Sequence, residues 1–258
     1  MIYYYYFIVV SWVFLLFYTL VMAGNICAQN TPEMRAELHK LIRSDTTLAN
    51  NKSETQQLYN QLLQAHAKSD SLNIAEALHR ISTDYSSSGR WKRGEELALQ
   101  ALQIARNIQI DSTVASSLNA LAIALTSKIN NLYQNGEIND EKFLQLADSV
   151  IFIYNQKLDV LERLNLPIYK AYTYQGMGQI YLRTKQLRPQ DVQIASEYFK
   201  KAISTAQTTN DQLLQFMTQI WYGISLSHQE KYNEISTLLD ELVVLPFNSL
   251  SIFCHRSS

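Results

Sequence analysis

The sequence predicts an all-α protein, a solenoid of antiparallel helix pairs preceded by a hydrophobic leader. Three observations lead there. Only 7 of the 258 residues are glycine and 4 are proline, whereas a β-rich fold needs turn residues about every ten positions. Helical segments follow one another with short breaks, and no run of alternating apolar and polar residues is bounded like a strand. Small residues return at matching places in successive helix pairs: Ser82, Ala122, Gly178 and Gly223.

The leader comes first. No charged side chain precedes Glu33, and Ile2 to Ala23 is long enough for a bilayer, which takes about 20 apolar residues. "ICAQ" at 26–29 offers a cleavage point after Ala28. Residues 1–28 therefore read as a signal peptide or as an uncleaved membrane anchor. The missing basic start and the length of the run speak for the anchor; the small residues near the cleavage point speak for the signal peptide, which is preferred. Tyr3 to Tyr6 suit the membrane interface in both cases. Either reading sends the rest of the chain across a membrane, to the periplasm or the outer face of the inner membrane. Asn25 and Ile26 before Cys27 do not fit a lipoprotein site, and Cys254 is the only other cysteine, so a disulfide framework is excluded.

The helices follow in order. Thr31-Pro32-Glu33 starts one that runs to about Arg43, with Thr as cap, Pro in the first turn and an acid beside it. Ser53-Glu54 opens a second, ending near Lys68, and the two form an N-terminal helical pair over 29–69. A third runs from Leu72 to Ser87 and stops at Gly89; a fourth runs from Lys92 to Ile108. Asp111 caps a fifth, to Tyr133, which Gly136 ends. Asn139 starts a sixth, to Leu164, and Pro167 a seventh, to Thr184. "RPQD" at 188–191 starts an eighth, Asp211 caps a ninth, and a tenth begins near Tyr232.

Aligning the pairs exposes a repeat over 70–245. In one unit Gly178 is followed by Tyr181, and the next helix carries Ala195, Phe199 and Ala202. In another, Ser82 and Tyr85 precede Trp91, Gly94, Ala98 and Ala101. In a third, Gly223 precedes Tyr232, Leu239 and Leu242, and Asn119 to Leu125 with Ala147 onward makes a stretched fourth. This pattern resembles the tetratricopeptide repeat (TPR), with Gly178, Tyr181, Ala195, Phe199 and Ala202 as its best match. The resemblance implies a right-handed superhelix of helix pairs. The small residues at 82, 122, 178 and 223 lie 40, 56 and 45 apart, against a period of about 34 in a regular array, so the repeats are lengthened.

"AYTYQGMGQIY" puts Gly176 and Gly178 inside a helix, where each costs roughly 1 kcal/mol against alanine. Gly178 is expected to let the paired helix approach; Gly176 lies on another face and is read as merely tolerated. A phosphate loop is excluded, because GxGxxG would need glycine where Tyr181 stands and no strand precedes the pair.

Net charge is −1 without a basic block, which speaks against nucleic acid. His39, His66, His79, His228 and His255 form no metal pattern. No nucleophile elbow, P-loop or SxxK is present, and Glu95-Glu96 and Asp240-Glu241 read as solvated faces. No catalytic residue, metal or cofactor is therefore expected; a helical sugar-active enzyme would need paired carboxylates in a cleft. The resemblance places a concave groove along the first helices of the pairs, with Glu76, His79, Asn119, Tyr172, Gln175 and Gln179 as candidate binding residues. This polar set suits an extended, hydrogen-bonded peptide better than an acidic one. The implied function is a non-enzymatic scaffold in the bacterial cell envelope, binding a protein or peptide, touching the membrane only through its N-terminal segment and open to self-association. The alternative is the severed sensor region of a membrane histidine kinase or a TPR-containing transcription regulator, whose input regions the array resembles. The irregular tail 246–258, apolar after Pro246, reads as the end of a fragment or a shifted frame and supports that alternative.

Overall fold

The computed structural model describes residues 52–209 and 211–244, with side chains from Gln57 to Leu238. The leader 1–28, the helix expected over 31–43 and the tail 246–258 lie outside the described residues. The chain divides into two compact units, 1–69 and 70–258. In the first, α1 (Lys52–Ala67) is the helix expected from Ser53, and it buries Leu58, Tyr59, Leu62 and Ala65.

In the second unit the described residues form eight helices: α2 (Ser71–Ser87), α3 (Trp91–Ile108), α4 (Asp111–Gln134), α5 (Asp140–Arg163), α6 (Pro167–Thr184), α7 (Asp191–Thr208), α8 (Gln212–Ser227) and α9 (Tyr232–Val244). They form four antiparallel pairs, α2 with α3, α4 with α5, α6 with α7 and α8 with α9, in a TPR-like arrangement. Each second helix also packs on the first helix of the next pair. That neighbour-to-neighbour stacking buries a core along the array: Ala98 and Leu102 of α3 join Leu118, Ala122 and Leu125 of α4, Val150 and Tyr154 of α5, and Met177 and Ile180 of α6. Farther on, Leu182, Ala195 and Phe199 cluster with Tyr181, Trp221 and Tyr222.

The ends have local causes. Asp70, Asn139 and Asp211 cap α2, α5 and α8, each side chain accepting from the backbone N–H three residues on. Asp111 does not cap: the N-cap of α4 is Ile110, and Asp111 is the first helical residue, paired instead with Arg163 at 2.8 Å. Gly89 and Gly136 end their helices at φ of 77° and 69°, where only glycine is at ease. The eighth expected helix starts at Asp191 rather than Arg188. The intervening turn is closed by Leu187 and Arg188 N–H groups on the Thr184 carbonyl, both at 2.9 Å, and by the Thr184 hydroxyl donating to the buried Asp191 carboxylate at 2.5 Å.

Candidate functional site: a groove along the first helices

The repeat positions hold the pairs at close range. A Cβ on Gly178 would stand 2.6 Å from a ring carbon of Phe199, whose side chain is 0% exposed. α6 and α7 therefore meet at that glycine, as its repeat position implies. Gly176 is more than tolerated: its Cβ would lie 2.8 Å from the Tyr154 hydroxyl of α5, so the two glycines seat two different second helices. The same crossing recurs elsewhere with other atoms. The Ser82 hydroxyl donates to the Gly94 carbonyl at 2.7 Å, and Gly223 would bring a Cβ to 3.3 Å from Leu238. Ala98, Ala101, Ala195 and Ala202 are fully buried and Tyr85 nearly so. Tyr181 stacks on Tyr198 with centroids 5.5 Å apart. Trp91 donates its indole N–H to Asn131 at 3.3 Å, under Lys128. Tyr232 departs from this pattern: at 67% exposed it does not do the packing that Trp91 does at the corresponding turn.

The six groove candidates do not share one environment. Glu76 is exposed on α2. His79, one turn on, has both ring nitrogens buried without a partner, and burial together with the Arg80 charge holds its pKa down to about 4. Asn119 is occupied internally, accepting from Lys157 Nζ of α5 at 2.8 Å. Lys157 is itself buried, and desolvation lowers its pKa to about 8. Tyr172 is exposed on α6, its phenol pKa raised by partial burial and then by Asp211 at the start of α8. Gln175 and Gln179 are half-buried on the same helix.

Of the six, Gln179 alone lines the open cavity of about 350 Å³ between α4, α5, α6 and α8. Asn130, Tyr133 and Gln134 come from the end of α4; Gln179, Leu182 and Arg183 from α6; Trp221 and Ile224 from α8. α4, α6 and α8 are the first helices of three successive pairs; Phe143 of α5, a second helix, and Lys185 and Gln186 beyond α6 line the cavity as well. Arg183 hydrogen-bonds Asn130 across it. Arg183 is exposed by area, yet the desolvation of its guanidinium lowers that group's pKa. Sequence reasoning missed Arg183, Lys185 and Trp221 because nothing local marks them: they meet Asn130 only once three helices are stacked. It also missed the exposed apolar face of α8, whose spacing was readable but which no neighbour covers among the described residues.

Among the described residues no helix is long and apolar enough to cross a membrane, and no three His, Cys, Asp or Glu gather as a metal site. No protein-family model matches the sequence, and no curated protein matches it. Among solved structures, one similar chain is a Podosopora anserina protein described as "kinesin light chain nearly identical TPR-like repeats". It aligns with a TM-score of 0.55 at 13% identity, over 85% of this chain and 98% of that one. At that identity the likeness speaks for architecture, and with the helix order and crossings above it shows that this chain has a TPR-like helical repeat fold.

Proposed function

We propose that the chain is a non-enzymatic scaffold that binds a protein or peptide partner in the groove of its first helices. The repeats over 70–245 would wind as a right-handed superhelix of the TPR kind, and the leader 1–28 would carry them out to the bacterial cell envelope. The observation behind the binding reading is the cavity to which α4, α6 and α8 each contribute side chains. A partner lying there touches several repeats at once, which is how stacked helix pairs build an extended binding surface. The export reading rests on the uncharged apolar run before Glu33.

Affinity capture from envelope extracts with the full-length chain tests the binding reading, beside the variant Gln175→Ala/Gln179→Ala. Recovery of a partner that the double variant loses is the expected result; identical recovery by both overturns the groove. Fractionation of tagged protein with and without residues 1–28 tests export, and a soluble cytoplasmic full-length product overturns it. A second reading is the input region of a membrane sensor kinase or regulator, with the leader 1–28 kept as its anchor. A coding segment beyond Ser258 with a membrane span and kinase motifs would support it.

A further inference from the structure

Five exposed large apolar side chains lie on one helix: Leu213, Phe216, Met217, Ile220 and Ile224 of α8. Their offsets of 0, 3, 4, 7 and 11 residues place them on one face of a helix. The other side of α8 is the packed one. Leu214 joins Ala171 and Ala206, Ser225 meets the Ser196 hydroxyl at 2.7 Å, and Gly223 admits Leu238. Among the described residues, α8 is thus apolar on two sides and partnered on one. Scattered exposed apolar residues mean little, whereas a contiguous stripe marks an interaction surface.

The chemistry of the stripe selects its occupant. No amide or hydroxyl stands between Leu213 and Ile224 on that face, so an extended peptide laid there would leave backbone N–H and C=O groups unpaired away from water. A helix satisfies its own backbone and offers apolar residues at matching intervals. Charge selects further. Ile224 leads into the cavity, whose charged lining residues are Arg183 and Lys185. Among the described residues neither pairs with a carboxylate; Arg183 holds the neutral Asn130, and His228 lies close enough to Lys185 for its pKa to be lowered by burial and by that charge. The one acid attached to the wall, Asp140, accepts from the Tyr133 hydroxyl at 3.0 Å. These cations offset the carbonyl ends of α6 and α8, yet a guanidinium bonded only to an amide remains best matched by a carboxylate.

We propose that α8 docks an amphipathic helix of a partner protein, its apolar residues at i, i+3, i+4 and i+7 against the stripe and a carboxylate beyond the last of them reaching Arg183 and Lys185. This rests on the scaffold reading and supplies the partner's chemistry. The test uses the full-length chain and a fluorescein-labelled synthetic amphipathic peptide, leucine at those four positions and two glutamates after them, followed by anisotropy. Saturable binding is expected. Ile220→Asp or Met217→Glu, both at exposed positions, should weaken it about tenfold or more, as loss of a central anchor does. Arg183→Gln/Lys185→Gln should weaken it several-fold and erase the advantage of the glutamate peptide over its glutamine counterpart.

Absence of saturable binding, equal binding of a peptide broken by a central proline, or indifference to both stripe variants overturns the proposal. So does a dimer in sedimentation that Ile220→Asp dissolves, which would make the occupant a second copy. The scaffold reading survives any of these if an envelope partner is still lost on changing Gln175 and Gln179.

Discussion

Gly178 and Gly176 show how much one missing methyl group does. Both are unfavourable to their own helix, and each is retained because a buried aromatic ring occupies the space a side chain would need. Gly178→Ala is expected to destabilise the fold by about 1–3 kcal/mol through overpacking, seen as a melting temperature several degrees lower, and Phe199→Leu in the same chain should recover part of the loss. His79 makes a pH-dependent contribution. Its folded pKa of about 4 lies below the ordinary 6.5, so between those values the unfolded chain binds more protons. The stability it provides is complete above pH 6.5 and is lost as pH falls towards 4; His79→Leu should flatten that part of a melting-temperature profile. Lys157 acts in the same direction at higher pH. With a folded pKa of about 8 against 10.5, its burial costs most below pH 8 and the cost fades as pH rises to 10.5. Lys157→Met should raise stability at pH 7 by on the order of 1–3 kcal/mol, measured by urea unfolding.

Helix ends were the most legible elements. Glycine, proline and capping side chains act through neighbours in the chain, so the stops at Gly89 and Gly136, the start at Pro167 and the cap at Asp211 could be read without tertiary knowledge. The misreading at Asp111 is equally local in origin. An acid in the first turn favours the helix N-terminus whether or not it caps, and composition alone does not separate the two positions. The structure separates them because Arg163, at the far end of α5, takes both Asp111 oxygens. Asp211→Ala is therefore expected to cost about 1 kcal/mol, the usual worth of a cap. Asp111→Ala should cost less, since it frees only a solvent-exposed guanidinium. Thermal melts of the two variants side by side check the order.

Stacked pairs touch mainly their neighbours, so stability should vary along the array. The large shared core lies over α4, α5 and α6, while among the described residues α9 packs only sparsely on α8. Hydrogen exchange is expected to be slowest in α4 to α6 and fastest in α9; uniform protection would argue against this linear organisation. The same linearity explains why the groove was half readable. Counting along α6 alone located Gln179, but the cavity also takes Asn130 from about fifty residues earlier and Ile224 from about forty-five later.

Helix content, helix limits and the small-residue crossings follow from local propensity and from a repeating pattern, both of which are written along the chain. That is why Gly178, Ala195, Phe199 and Ala202 could be assigned their packing places from order alone. Which polar residues stay free, which cations lack an acid and which apolar face lies uncovered depend on what the neighbouring pair places opposite them. Lys157 claiming Asn119, Arg183 reaching Asn130, and α8 burying one apolar side while exposing the other are outcomes of three-dimensional stacking. Hydrogen bonds and burial are relations between surfaces, and those surfaces meet only when the chain is folded.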